Sequence, residues 1–264
     1  MIVKEYVLSR KEAIKNEIAK ASVIPCLAIV QVNDDPASDA YIKGKLKDSA
    51  EVGINALHVK LDPSISEEEL LKKIDELNND PSVHGLIVQM PLPKQISEDK
   101  VKLAVNPAKD VDGFHPLSTF VACTPKGIMM YLKSEGVEFA GKNAVVVGRS
   151  NIVGRPMAKL LLDASANVTV IHSKTTEEDK KKYLANAGII VVAVGRKWFL
   201  NSSYTLKDSA VLVDVGINRV DGKLHGDIEP NLPVRLQTPV PGGVGLLTRL
   251  ALLENLMEAY NNNK

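Results

Sequence analysis

Tyr41 and Lys45 stand four residues apart in a segment with helical patterning, and a helix puts both on one face. A tyrosine can stack on a flat heterocycle while an ammonium group reaches the reactive atom. A lysine in a partly dry pocket gives up its charge more readily and can serve in proton transfer. Plain amphipathic packing produces the same spacing, so spacing alone does not decide. Gln89 closes the apolar run Gly85–Met90. A polar amide at the end of a buried strand needs a partner or a ligand. Strand ends are also where open α/β sheets bind their ligands. The stretch from Lys109 to Phe114 carries two carboxylates, Asp110 and Asp112. It fits a turn or a weak cation site as readily as a catalytic loop.

A second constellation begins at Gly148. The apolar run 144–147 leads into Gly148-Arg-Ser-Asn-Ile-Val-Gly154-Arg-Pro156, and a helical run follows. A buried strand that turns sharply into a helix aims free backbone N–H groups at one point, and the helix dipole adds positive potential there. Gly148 lets the turn close, and Gly154 lets helix and strand approach. Pro156 suits a first helical turn, where a missing N–H costs nothing. The spacing is not GxGxxG, so a purely structural turn stays open. The next strand end reads Ile171-His-Ser-Lys-Thr175, with no acid to hold a ribose 2′-hydroxyl. Ser173, Lys174 and Arg149 suit a 2′-phosphate instead, so NADP is expected over NAD. The loop Thr238–Gly245 is rich enough in glycine to bring backbone against a ligand, and a plain linker would look the same.

The elements that must hold these residues alternate. Helices are expected over 9–20, 37–52, 66–77, 126–134 and 246–260. Strands are expected at 26–32, 56–61, 85–90, 144–147, 168–171, 189–194 and 210–215. This is the rhythm of parallel α/β layers. Ser66 and Glu69 form a capping box. Pro91 and Pro93 end the third strand, and Asp221-Gly222 marks a hairpin. The 264 residues suffice for two domains, with a boundary near 113–124.

Composition narrows the class. Apolar residues make up 45 % and charged residues 25 %, as in a globular chain with a buried core. A formal net charge of +1 argues against a nucleic-acid partner. The longest apolar run, Ile189–Val194, cannot span a bilayer, and charges occupy the start where a signal peptide would be apolar. Two cysteines, Cys26 and Cys123, form no disulfide framework and suit a reducing compartment. The five histidines show no metal-ligand spacing. A cytoplasmic, metal-free protein is expected.

Taken in order, the motifs resemble one family, the methylenetetrahydrofolate dehydrogenase/methenyltetrahydrofolate cyclohydrolases. The matching strings are Pro36-Ala-Ser38 with Tyr41 and Lys45, Gln89-Met-Pro-Leu-Pro93, and Lys109-Asp-Val-Asp-Gly-Phe-His-Pro116. They continue with Cys123-Thr-Pro125, Gly148 to Pro156, His172 to Thr175, Asp214-Val-Gly-Ile-Asn-Arg219 and Pro239 to Gly245. Each is short, but the ordered set is specific and spans nearly the whole chain.

The resemblance implies an N-terminal three-layer α/β catalytic domain, a C-terminal Rossmann-like NADP-binding domain and a cleft between them. It places the folate-binding domain at 1–118, with a final helix at 246–264 returning to it, and the NADP domain at 119–245. It implies oxidation of 5,10-methylenetetrahydrofolate with NADP⁺, then hydrolysis of the methenyl product to 10-formyltetrahydrofolate, within one-carbon metabolism and purine biosynthesis. Lys45 would be catalytic, Gln89 would tune it, Tyr41 would stack on the folate and Asp112 would bond the pterin. Pro241 and Gly242 would border the folate. Gly148, Arg149, Ser150, Gly154, Ser173 and Ile217 would line the NADP site. A homodimer is implied. Two positions depart from the pattern: Leu246-Leu247 stands for the usual Pro-Met, and Asn33 stands where a glycine is common. A dehydrogenase without the hydrolytic step, another two-domain NADP dehydrogenase, and a non-enzymatic NADP sensor are the alternatives. The first-domain motifs argue against the last two.

Overall fold

The structure is a computed structural model that describes residues 1–262. It divides into two compact units. One comprises Val7–Cys123 with the chain from Arg249 onward, and the other Thr124–Thr248 with Met1–Tyr6. Among the described residues no helix is long and apolar enough to cross a membrane.

The first unit alternates helix and strand. α1 (Val3–Ile18), which enters this unit at Val7, β1 (Cys26–Gln31), α2 (Pro36–Val52), β2 (Asn55–Lys60), α3 (Glu67–Asn79), β3 (Gly85–Gln89) and α4 (Glu98–Ala104) follow in order. The three strands are parallel in the order β2-β1-β3. Every residue of β1 is buried, as the continuous apolar run demands of a central strand. α3 buries Leu70, Ile74 and Leu77, one stripe at helical spacing. Its start is the expected capping box: Glu69 N–H donates to the Ser66 hydroxyl at 3.2 Å, and Ser66 N–H donates to the Glu69 carboxylate at 3.0 Å. Leu70 and Ile74 are fully buried, each contributing about 1.5–3 kcal/mol. α1 starts six residues earlier than the sequence suggests. Val3, Tyr6 and Val7 are all buried, and the Tyr6 ring packs on Tyr131 at 5.6 Å between centroids. That packing is long-range and leaves no local start signal.

The chain continues through α5 (Cys123–Ser134), β4 (Asn143–Val147), α6 (Gly154–Asp163), β5 (Asn167–Ile171), α7 (Glu177–Asn186), β6 (Ile189–Val192) and β7 (Val211–Asp214). A hairpin of β8 (Asn218–Val220) and β9 (Lys223–His225) precedes β10 (Leu236–Gln237) and α8 (Val244–Asn262). Five strands of the second unit form a parallel sheet in the order β10-β7-β6-β4-β5. The order reverses between β4 and β6, which places a topological switch point outside their carboxyl ends. The hairpin turn is Asp221-Gly222, both with positive φ (50° and 74°), the pairing such a tight turn requires.

α8 begins in the second unit and contributes its later part to the first. There Leu250, Leu253, Leu256 and Tyr260 are buried. A Cβ on Gly85 of β3 would stand 2.7 Å from Leu256, so the strand carries a glycine where the helix presses closest. The expected segment 246–264 runs two residues beyond the described ones.

Candidate active site

In the first unit, α2 is anchored by its own N-terminus. Asp35 caps it, accepting from Ser38 N–H at 2.8 Å, and Pro36 occupies the first turn. These bonds to Ser38 hold the Asp35 carboxyl below its ordinary value. Asn33 Nδ2 donates to the Pro91 carbonyl at 2.7 Å, and the Ser38 hydroxyl, which donates to Asp35 at 3.0 Å, stands 3.4 Å from the Met90 carbonyl. The start of α2 is thereby tied to the exit of β3. Along α2 this brings Lys45 to Gln89: Lys45 Nζ donates to Gln89 Oε1 at 3.1 Å. Gln89 Nε2 donates to the Met90 carbonyl at 2.8 Å, which fixes the amide so that its oxygen faces the lysine. Lys45 is half-buried, and Tyr41, one turn earlier, is exposed. An exposed ring one helical turn from a tethered ammonium group can receive a flat substrate.

Asp112 lies in the loop after the isolated bridge between Leu86 and Asp110. Asn255 of α8 holds that loop, donating to the carbonyls of Val111 at 2.8 Å and Val121 at 2.9 Å. Asp110 is buried and accepts from His115 N–H at 2.8 Å. Burial pushes its carboxyl above the ordinary value, so Asp110 is an anchor of the loop. Asp112 is half-buried, and its carboxylate makes no hydrogen bond or ion pair among the described residues. It lines a small pocket with Val88, Met90 and Phe114.

Two polar clusters escaped the sequence reading. Gln31 ends β1 as Gln89 ends β3, and it is fully buried. It donates to Asp39 of α2 at 2.7 Å and meets His58 Nε2 at 2.9 Å. Gln31 carries the same local signal as Gln89, a polar amide at the end of an apolar run. Asp48, one turn beyond Lys45, is buried between Lys11 Nζ at 2.5 Å and Arg249 Nε at 2.6 Å. The Arg249 guanidinium covers Gly44, where a Cβ would stand 2.6 Å from it. Nothing local in the sequence marks these partners.

In the second unit, Gly148 has φ 114° and no room for a side chain, because a Cβ would meet the Ala193 carbonyl of the loop after β6. A Cβ on Gly154 would meet the Gly148 carbonyl, so helix and turn are in contact. The Ser150 hydroxyl accepts from the N–H groups of Val153 and Gly154, both at 3.3 Å. The N–H groups of Arg149, Ser150, Asn151 and Ile152 have no acceptor among the described residues. Four open amides at a strand-to-helix turn are suited to an anion. Arg149 is exposed and makes no ion pair among the described residues. Ser173 follows β5, the strand next to β4, and is exposed two residues beyond Ile171, whose carbonyl accepts from Gly148 N–H at 2.9 Å. Ile217 shares a small pocket with Pro241 and Gly242, together with Asp214, Gly216 and Gly245. The family resemblance assigns Ile217 to the cofactor and Pro241 and Gly242 to the folate; here they line one cavity.

Two models of one family match this chain. The tetrahydrofolate dehydrogenase/cyclohydrolase catalytic domain matches residues 2–112, and the NAD(P)-binding domain of the same family matches residues 122–264. The Bifunctional protein FolD of Halalkalibacterium halodurans is 46 % identical over 265 residues, 95 % of this chain and 94 % of that protein. The crystal structure of the bifunctional FolD methylenetetrahydrofolate dehydrogenase/cyclohydrolase from Campylobacter jejuni superposes with a TM-score of 0.94 at 40 % identity, covering 99 % of this chain and 98 % of that one. The Trypanosoma brucei methylenetetrahydrofolate dehydrogenase-cyclohydrolase, solved with NADP and an inhibitor, gives 0.93 at 28 % identity, covering 99 % and 97 %. This chain belongs to the tetrahydrofolate dehydrogenase/cyclohydrolase family.

Proposed function

We infer that the protein oxidises 5,10-methylenetetrahydrofolate to the 5,10-methenyl form with NADP⁺ and hydrolyses that product to 10-formyltetrahydrofolate. The observation that carries this is the Lys45–Gln89 hydrogen bond at the carboxyl end of the first unit's sheet, in a chain that contains both domains of the family. When bound, NADP⁺ supplies the hydride acceptor. The open amides at 149–152 fit its phosphates, and Arg149 with Ser173 fits the 2′-phosphate. Gly154 keeps the helix close, and Ile217 offers an apolar wall.

Ring opening adds the water oxygen to the methenyl carbon and breaks that carbon's bond to N5; one water proton ends on N5 and the other is released. Lys45 Nζ moves the proton from the water to N5. The Gln89 oxygen occupies one Nζ hydrogen and so fixes where the rest of the group points. Tyr41 stacks on the folate, and the unpartnered Asp112 carboxylate accepts from the donor edge of the pterin. Pro241 and Gly242, in a glycine-rich loop, border the folate. By the same resemblance the protein acts as a homodimer in the cytoplasm, its product serving as a one-carbon donor for purine biosynthesis. The buried Cys26 and Cys123 thiols, unjoined to each other, suit a reducing compartment.

The test is Lys45→Met. Methenyl hydrolysis, followed by loss of methenyl absorbance, should vanish while NADP⁺ still binds in calorimetry. Retained hydrolysis would remove Lys45 from the mechanism.

A further inference from the structure

Asp227 is fully buried and makes no ion pair among the described residues. A carboxylate in that position survives only if hydrogen-bond donors replace water. Here they do. Oδ2 accepts from the N–H groups of Val194 at 2.7 Å and Gly195 at 2.8 Å. Oδ1 accepts from Arg196 N–H at 2.7 Å and from Asn218 Nδ2 at 2.9 Å. Three of these donors are consecutive amides of the loop after β6. The fourth belongs to the neighbour of Ile217.

The surroundings are shaped to this carboxylate. A Cβ on Gly216 would meet Asp227, and a Cβ on Gly226 would meet Asp214. Asp214 in turn holds the chain around Asp227. It accepts from the N–H groups of Gly216 at 3.1 Å, Asp227 at 2.8 Å and Ile228 at 2.9 Å. Asp214 thus fixes the backbone at 227–228, and Asp227 fixes the backbone at 194–196. Ala193, the residue just before that clamped loop, presents the carbonyl that leaves Gly148 no room for a side chain. The clamp therefore ties two loops together: the β6 loop, which borders the switch point and backs the glycine turn, and the β7 loop, which carries Ile217.

We propose that Asp227 is a positioning residue for the dinucleotide site, holding the β6 loop and the Ile217 loop at the spacing that NADP requires. It touches no reacting atom. The proposal rests on the reading that the glycine turn binds NADP. It predicts a division that general loss of stability would not produce. Cofactor binding depends on the clamp, whereas methenyl hydrolysis, which consumes no dinucleotide, depends on Lys45 and Gln89.

The experiment compares wild type with Asp227→Asn and Asn218→Ala. NADP⁺ is titrated by calorimetry, and methenyltetrahydrofolate hydrolysis is measured with no dinucleotide added. Asp227→Asn should raise the NADP⁺ Kd at least about tenfold, and Asn218→Ala by a smaller factor in the same direction, with the hydrolytic kcat unchanged in both. If Asp227→Asn does not fold, Asn218→Ala decides alone, since it removes one donor and leaves the buried carboxylate in place. Wild-type affinity in the variants would overturn the proposal, as would parallel loss of both activities. Failure of wild type to bind NADP⁺ would instead overturn the underlying reading of the turn.

Discussion

Replacing Arg149 with alanine should separate NADP⁺ from NAD⁺. The two dinucleotides differ only by the 2′-phosphate, so a residue that serves this group alone changes one affinity and leaves the other. Arg149 is exposed and has no ion pair among the described residues to break first, so its whole interaction is available to the ligand. A hydrogen bond to a charged group is worth about 1.5–3 kcal/mol. Exposure favours the lower end for a single bond, while a guanidinium gripping two phosphate oxygens reaches the upper end. At about 1.4 kcal/mol per factor of ten, kcat/KM for NADP⁺ should fall roughly 10- to 150-fold. The value for NAD⁺ should stay within experimental error. Arg149→Lys should fall between the two, because it keeps the charge and loses the planar fork. The ratio should shrink as salt is raised, since the site faces solvent. The assay is methenyl formation at fixed methylenetetrahydrofolate with each dinucleotide varied. Equal losses for both would show that Arg149 serves the common part of the molecule or the turn itself.

Two further perturbations test the frame around the sites. Asp48→Ala removes the centre of a cluster in which Asp48 is 6 % exposed, Lys11 12 % and Arg249 26 %. Breaking such a pair costs about 3–5 kcal/mol, and Lys11 keeps Glu51 at 2.7 Å, so a loss near 3 kcal/mol is expected in urea unfolding; a change below about 1 kcal/mol would mean that the cluster is well hydrated. The second perturbation is pH. Burial, with the neighbouring Asp227 charge adding to it, pushes the Asp214 carboxyl from 3.8 up to about 6 against the pull of its backbone hydrogen bonds. The folded value lies above the unfolded one, so this contribution is complete below the unfolded value and is lost as pH rises through 6. Wild type should lose roughly 3 kcal/mol more than Asp214→Asn over that interval. Parallel stability profiles would exclude the shift.

Local signals made most of the fold legible. β1 and β4 read as continuous apolar runs, and both are central, buried strands. β6 was expected to reach Val194 but ends at Val192, because the amides of Val194 and Gly195 turn to Asp227 instead of the ladder. α4 is seven residues long, with Ser97 as its cap, and β10 has only two residues, so neither offers a period to detect. At the candidate site, Lys45 and Gln89 were legible as types and positions. What held them was less so. Asp48 finds Arg249 across 201 positions of sequence, and Asp227 finds Val194 across 33. Hydrophobic periodicity reports which face of an element is buried. It carries no information about which buried carboxylate meets which amide.

The last helix passes from one unit to the other between Thr248 and Arg249. That has a consequence for synthesis on the ribosome. The first unit's strands and helices through α4 emerge early, yet Gly85, Val111 and their neighbours stay uncovered until Leu256 arrives at the far end of the chain. The loop bearing Asp112 likewise waits for Asn255. The intervening dinucleotide unit is therefore made, and can begin to fold, while its predecessor is still incomplete. A nascent chain stalled before α8 would expose an apolar strip along β3, the kind of surface that chaperones hold and proteases find. The catalytic domain is thus completed only after the dinucleotide-binding domain has been synthesised, the reverse of their order in the sequence.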